Sequence, residues 1–328
     1  MVNLSMHIIG TGAAVPKRVI TNEDITKVGD TSDEWITSRT GIKERRMLSG
    51  EALQDLAKDA AREALDAANI AAADLDLIIV ATFTPTNFTP NTACYLKSTM
   101  GAGKAVAFDI NSACSGFAYS LWVAQSIMAV HGYKNALIIG ADALSIVTNW
   151  DDRSTFVLFG DGAGAAVLCG EDEASRGEIL ASTVHNFDDE GHSLFVTGIN
   201  NGTPFYKPGT SEKSIVTMDG KTVFRFATVV CVDIMRELAE KAKVTLDEVS
   251  YFVLHQANGR IIDHVAGKLK LPIERFFKNV DKYGNTSAAS VPIALHQMMQ
   301  ECRPKTGELV MLAAFGGGLT AGGAVFRV

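Results

Sequence analysis

The chain predicts an α/β fold of two packed halves, and three observations predict it. Short apolar runs rich in β-branched residues alternate with longer helical patterns. The length of 328 residues suits two units of roughly 100 to 200 residues each. The second half also repeats the first at low fidelity. AVAFDINSACSGFAYSLWVAQ leads through a helix to NALIIGAD, and FKNVDKYGNTSAASVPIALHQMM leads through a helix to ELVMLAAFGGG.

The spacing predicts an amphipathic helix from Leu53 to Asn69, then strands from Leu77 to Ala81 and Ala105 to Asp109. A helix from Ser115 to Val130 follows, then strands from Ala136 to Ile139 and Ala165 to Leu168, and a long helix from Phe226 to Lys243. With 47% apolar and 20% charged residues and 8 prolines, the whole chain is expected to fold. No Pro/Ser linker divides it, so the halves, residues 1–172 and 173–328, should share an interface.

A net charge of −7 supplies no global field for nucleic acid or an anionic membrane, so an anionic partner needs a local basic patch. The N-terminus lacks the charged and apolar regions of a signal peptide, and no apolar run reaches the ~20 residues of a membrane span. A cytoplasmic location is the expectation. Five scattered cysteines, Cys94, Cys114, Cys169, Cys231 and Cys302, form no C-x-x-C pair and argue against a disulfide framework or zinc site.

Each repeat carries a turn of small residues between a strand and a helix, and Cys114 and Asn285 occupy matching places there. Cys114 at a helix start gains from the unpaired N–H groups and dipole, which favour the thiolate and lower the thiol pKa. That context fits a nucleophile as well as a buried structural cysteine. His255, after the apolar run Tyr251 to Leu254, reads alone as a core histidine, and Asn285 alone as a turn residue or cap. Phe159-Gly160-Asp161-Gly162-Ala163-Gly164 lacks a Walker lysine and runs into a strand, which argues against a nucleotide loop. Phe315-Gly316-Gly317-Gly318 reads as a loop turning N–H groups to an oxyanion, or as a tight turn. The histidines show no metal-binding spacing, and Lys43-Glu44-Arg45-Arg46 reads as a solvated face.

Together these motifs resemble β-ketoacyl-acyl-carrier-protein synthase III over nearly the full length. The resemblance rests on Asp30 to Ile36, Arg39-Thr40-Gly41-Ile42, Asn111 to Phe117, Phe159 to Gly164, His255 to Asn258, Gly284 to Ser290 and Phe315 to Gly318. It implies a duplicated thiolase-like fold, layered αβαβα around two central mixed sheets, and a homodimer. It also implies a decarboxylative Claisen condensation of an acyl-CoA primer with malonyl-acyl-carrier protein, giving 3-oxoacyl-acyl-carrier protein, CoA and CO2. The catalytic set falls on Cys114, His255 and Asn285, with an oxyanion hole at the N–H groups of Cys114 and Gly317. CoA contacts fall on Thr31, Trp35, Arg39, Arg153, Ser154, Phe224 and Asn258, with Trp35 and Arg153 flanking the adenine. The carrier-protein patch falls on Arg225, Arg260 and Lys268, whose alternative is ordinary surface charge. No metal or redox cofactor is implied.

The chain departs from the family in its substrate tunnel. Phe88 and Thr89 fall where the family closes the partner's acyl pocket, and Thr89 stands at a position that carries phenylalanine in several relatives. A smaller side chain there predicts primers longer than acetyl. Ala321 replaces a frequent tryptophan and Lys221 a frequent asparagine. Two other readings use the same residues: a specialised ketosynthase or acyltransferase of secondary metabolism, and a Cys-His-Asn thiol hydrolase. Retention of all three residues argues against a non-catalytic partner subunit, which would be expected to lose the nucleophile.

Overall fold

The computed structural model describes residues 5–170, 176–198 and 214–328. The predicted junction between residues 172 and 173 lies outside the described residues. Among the described residues nine strands form the main sheet: β1 (His7–Ala14), β2 (Leu77–Ala81), β3 (Val106–Ile110), β4 (Asn135–Ala143), β5 (Asp161–Cys169), β6 (Glu178–Asn186), β7 (Val249–Leu254), β8 (Leu309–Gly316) and β9 (Thr320–Arg327). Their spatial order is β7-β8-β9-β6-β1-β5-β4-β2-β3.

The duplication is visible in this order. In the first half β2 runs parallel to β3 and β4, while β4 and β5, and β5 and β1, are antiparallel. In the second half β7 runs parallel to β8, and β8 with β9 and β9 with β6 are antiparallel. Only the counterpart of β3 is reduced, to a parallel bridge between Phe252 and Phe276. The half-sheets meet through one antiparallel residue pair of β1 and β6, His7 with Glu178. They are thus two mixed sheets joined at an edge.

Helices α1 (Leu53–Ala68) and α2 (Thr92–Met100) cover the outer face of the first half-sheet, and α4 (Gly220–Ala242) and α5 (Gly259–Leu269) that of the second. Between the sheets lie α3 (Gly116–His131) and α6 (Ser290–Glu301), whose Phe117, Leu121, Val291 and Leu295 pack in one core with strands of both halves. This is the αβαβα layering. α1 forms because Leu53, Leu56, Ala57, Ala60, Ala64 and Leu65 recur at helical spacing on its buried face, and it ends at Asn69 in the left-handed conformation. β2, Leu-Ile-Ile-Val-Ala, is buried at every position, as a parallel strand covered on both faces must be.

One expectation needs qualifying and one is corrected. The segment Ala113–His131 is long and apolar enough to cross a membrane, with half of it buried inside the protein. A helix sandwiched between two sheets has little need of a polar face, which accounts for its composition. The Lys43 to Arg46 run is not a solvated face: Arg45 is wholly buried, donating from Nη1 to Asn22 Oδ1 (2.9 Å) and from Nη2 to the Val157 carbonyl (2.7 Å). Burial lowers its pKa to about 10.

Candidate active site

Strand β3 ends at Ile110, and the next turn is shaped by Asn111, whose Oδ1 accepts the Ala113 N–H at 3.1 Å. Ala113 adopts a left-handed φ of 45°, and a 3-10 turn, Ala113–Ser115, feeds α3. The second half repeats this. Asn285 Oδ1 accepts the Ser287 N–H at 2.9 Å, Ser287 has φ 53°, and the turn Ser287–Ala289 feeds α6. The turns match as expected, but the residues are offset: Asn285 corresponds to Asn111, and Cys114 to Ala288.

These turns meet only because glycines let them. A Cβ at Gly140 of β4 would lie 2.0 Å from the Ala288 carbonyl oxygen, and one at Gly316 would lie 2.8 Å from the Cys114 nitrogen. Gly316 starts the turn between β8 and β9, which is the tight-turn reading of the glycine run. Ser115 Oγ donates to Thr320 Oγ1 (2.8 Å), and Thr320 Oγ1 donates to the Gly317 carbonyl (3.1 Å), tying this turn to the cysteine turn.

His255 follows β7, and its N–H donates to the Ala313 carbonyl at 2.8 Å. Gln256 holds the strand end: its Nε2 donates to the Leu254 and Phe277 carbonyls, and its Oε1 accepts the Asn279 N–H. The His255 ring packs edge-on to Phe315 with centroids 5.0 Å apart. It is 1% exposed, and its Nδ1 has no hydrogen-bond partner among the described residues. Burial depresses its pKa to about 3, so the imidazole is neutral. The Asn285 N–H donates to the Leu158 carbonyl, and its own carbonyl accepts the Gly160 N–H. The Phe159-Gly160 segment is therefore a bracket for Asn285, a role the sequence reading missed. With Oδ1 engaged by Ser287, the Asn285 amide retains its NH2 as a donor.

One cavity of about 430 Å³ is lined by Cys114, His255 and Asn285 on its buried wall, with Phe83, Leu144 and Val216 adding apolar surface. Gly317 also lines it. Of the expected CoA residues, Trp35, Arg39, Ser154, Phe224 and Asn258 reach the cavity; Thr31 and Arg153 do not line it. The Arg153 guanidinium lies 4.7 Å from the Trp35 ring centroid, so a base can lie between them only once they part. Thr31 Oγ1 is buried without a hydrogen-bond partner among the described residues. Arg225, Arg260 and Lys268 are exposed on the adjacent helices α4 and α5, and the Arg260 guanidinium is 5.9 Å from the Phe224 ring. Phe88 and Thr89 lie on an exposed loop away from this cavity. Ala321 is buried in β9 opposite Phe315, and Lys221 is exposed in the first turn of α4.

Cys114 corrects one expectation. Burial pushes its thiol up to about 12; the Ser287 hydroxyl opposes this, and the Asp142 charge adds to it. The helix start does not outweigh desolvation, and the resting thiol keeps its proton. Among the described residues no two cysteines are joined by a disulfide, and no three His, Cys, Asp or Glu side chains cluster as a metal site.

The chain matches the family 3-oxoacyl-[acyl-carrier-protein] synthase III over residues 108–187 and that family's C-terminal region over residues 239–328. It is 44% identical to the β-ketoacyl-[acyl-carrier-protein] synthase III of Clostridium perfringens, covering 98% of each chain. It is 45% identical to that of Aquifex aeolicus, covering 99% of this chain and 100% of the other. The solved Aquifex aeolicus structure superposes with a TM-score of 0.91 over 98% of this chain and 100% of that one. A priming β-ketosynthase of the R1128 polyketide pathway is 32% identical, with a TM-score of 0.90, covering 98% and 96%.

Proposed function

The chain belongs to the β-ketoacyl-[acyl-carrier-protein] synthase III family, and on that premise we propose that Cys114, His255 and Asn285 carry out its condensation. It is a condensing acyltransferase that initiates fatty-acid synthesis by joining an acyl-CoA to malonyl-acyl-carrier protein. The observation that carries the assignment is the convergence of three turns, from both halves, on one buried wall of an apolar cavity.

In the first step the Cys114 sulfur attacks the acyl thioester carbon, the carbon–sulfur bond to CoA breaks, and an acyl-enzyme remains. The N–H groups of Cys114 and Gly317 hold the oxyanion, and the Ser115 and Thr320 hydroxyls keep their turns in contact. In the second, malonyl-carrier protein loses CO2 and leaves an enolate. Neutral His255 and the Asn285 NH2 donate to its oxygen, and the enolate carbon attacks the acyl group and expels Cys114 as thiolate. A papain-like hydrolase needs a group that orients its histidine, yet Asn285 Oδ1 is committed to Ser287 and His255 Nδ1 has no partner among the described residues.

The carrier-protein phosphopantetheine and CoA would pass the rim residues Trp35, Arg39, Ser154, Phe224 and Asn258, with Thr31 and Arg153 engaged once the Arg153–Trp35 stack opens. Arg225, Arg260 and Lys268 would receive the acidic carrier protein. Residues 1–172 and 173–328 act as two halves of one catalytic unit in the cytoplasm, with no metal or redox cofactor. Phe88 and Thr89, outside their own protomer's cavity, would close the acyl pocket of a second copy, Thr89 leaving room for primers longer than acetyl. The 32% identity to a polyketide priming enzyme supports a second reading, the same chemistry in secondary metabolism.

Intact-mass measurement with acyl-CoAs of graded length, then malonyl-carrier protein, tests the reading. Wild type gains an acyl mass that the carrier protein discharges as 3-oxoacyl product, and Cys114→Ala gains none. Acylation retained in Cys114→Ala removes the assigned nucleophile, and strict acetyl preference removes the primer prediction.

A further inference from the structure

Gln256 and Ser290 are buried and lie behind the cavity wall rather than in its lining, and the two chemical steps above give neither a role. Yet the chain around His255 is clamped at three successive backbone groups, two of them by this pair. The Leu254 carbonyl accepts from Gln256 Nε2 at 2.8 Å, the His255 N–H donates to the Ala313 carbonyl at 2.8 Å, and the Gln256 N–H donates to Ser290 Oγ at 2.7 Å. The imidazole rests on the edge of Phe315, and its Nδ1 has no hydrogen-bond partner among the described residues. The aim of the ring is therefore inherited from the clamped backbone.

The same glutamine grips the chain on both sides of Asn285. Upstream, Gln256 Nε2 donates to the Phe277 carbonyl at 3.1 Å, and Gln256 Oε1 accepts the Asn279 N–H at 3.0 Å. The Asn279 carbonyl accepts the Lys282 and Tyr283 N–H groups and so starts the one-turn helix Val280–Tyr283, which delivers Gly284 and Asn285. Downstream, Ser290 is the first residue of α6, directly after the turn Ser287–Ala289. Asn279 Nδ2 adds a bond to Gln297 Oε1 of the same helix at 3.0 Å. Within the turn, the Ser287 N–H goes to Asn285 Oδ1 and the Ala288 N–H to Asp142 Oδ2, so the turn is held to the first half as well.

A carboxamide suits this place because it supplies two donors and an acceptor without charge. A carboxylate has no hydrogen for the two carbonyls, an ammonium has no acceptor for the N–H, and either puts a charge near a developing enolate. The cysteine turn hangs on other bonds, from Ser115 Oγ to Thr320 Oγ1 and from Thr320 Oγ1 to the Gly317 carbonyl. No hydrogen bond among the described residues joins that set to Gln256 or Ser290.

We propose that Gln256 and Ser290 are positioning residues that hold His255 and Asn285 as one rigid donor pair for the enolate, an inference that rests on those two being the donors. Acylation of Cys114 comes first and draws on the Cys114 and Gly317 N–H groups, so loosening the pair slows the second step and spares the first. A catalytic group displaced by ~1 Å loses about 100-fold in rate, which leaves a wide margin for detection.

The test times the two steps separately on the whole chain. Rapid-quench intact mass follows acylation by acyl-CoA without carrier protein, and CO2 release from malonyl-carrier protein is then timed on enzyme acylated beforehand. Gln256→Met keeps the side chain's length and removes its carboxamide. Ser290→Ala removes the acceptor of the Gln256 N–H and leaves the carboxamide bonds in place. Both variants should be acylated within about twofold of the wild-type rate and should lose more than about tenfold in CO2 release at saturating malonyl-carrier protein, with the half-saturating concentration within about twofold. If thermal melting shows Gln256→Met unfolded, Ser290→Ala, the smaller change, carries the test alone.

A smaller loss of CO2 release overturns the proposal. So does a matching loss in acylation, which marks general support of the fold, and so does a change confined to the half-saturating concentration, which marks carrier binding. If acylated wild type releases no CO2 from malonyl-carrier protein, or His255→Ala releases it at the wild-type rate, the donor assignment itself fails and the positioning role fails with it.

Discussion

His255 sets catalysis against stability within a single side chain. Its folded pKa of about 3 lies below the 6.5 of a free imidazole, so between those values the unfolded chain binds a proton that the folded one refuses. Stability from this site is therefore complete above about pH 6.5 and is lost as pH falls toward 3. His255→Gln removes that penalty, and its melting temperature relative to wild type should be higher at pH 5 than at pH 8 in calorimetry. The same variant should lose about 10²- to 10³-fold in decarboxylation, the usual cost of one oxyanion donor. At this scale the sequence was legible unevenly. Cys114, His255 and Asn285 were ambiguous singly and became specific only through the ordered motifs around them. Asp142 and Ser287 drew no notice, because an Asp ending an apolar strand and a Ser in a small-residue turn are ordinary in sequence. An acid directly after Ile-Ile-Gly-Ala is the signal that could have marked Asp142, since an unpaired charge is seldom placed in a buried strand.

At the level of elements, the site is a contact between two copies of one strand-turn-helix unit, and the contact depends on what is missing. Gly140→Ala would drive a methyl group to 2.0 Å from the Ala288 carbonyl oxygen, against backbone that cannot give way cheaply. A loss of roughly 1–3 kcal/mol in denaturant unfolding is expected, with a larger proportional loss of condensation than of thermal stability as the Asn285 turn shifts. A second test lies on α4, away from the cavity. Burial alone would raise Glu237, but hydrogen bonds from Lys241, Thr183 and His185 overcome it and hold its pKa at about 2, below the 4.5 of a free glutamate. A depressed carboxylate stabilises above its unfolded pKa and loses that contribution as pH falls from about 4.5 to about 2. Glu237→Gln should therefore flatten the acid limb of the thermal-stability curve in that window. The elements were largely readable: Leu77–Ala81 was predicted to the residue, and the helix predicted from Phe226 begins at Gly220. That earlier start was missed because its signal is Asp219, whose carboxylate caps Lys221 and Thr222, rather than apolar periodicity. The turn offset between Cys114 and Ala288 was missed because the repeats share an Asn and a left-handed residue, not a reactive side chain.

For the molecule as a whole, the order β7-β8-β9-β6-β1-β5-β4-β2-β3 leaves β3 at an edge, bonded to β2 alone among the described residues. An open edge beside exposed apolar side chains invites pairing, and Val106 on β3 is 47% exposed while Phe88 is 74% exposed. Nothing in the composition singles out β3, since its apolar run is like that of a central strand; only the sheet order reveals that one side is free. We expect a second copy to cover this edge, and the loop bearing Phe88 and Thr89 then reaches the neighbour's cavity. A stable interface of this kind buries roughly 1,200–2,000 Å², enough to survive loss of one contact, so a paired substitution is the better test. Analytical ultracentrifugation of Val106→Arg/Phe88→Asp should show a shift from dimer toward monomer at micromolar concentration. Acyl-CoA profiling of the same variant should show blurred chain-length preference, while Cys114 is still acylated because the Cys114, His255 and Asn285 turns line a cavity within one protomer. A wild type that sediments as a monomer, or a double variant that keeps both its dimer and its preference, would remove the loop from the acyl pocket and return primer choice to Phe83, Leu144 and Val216.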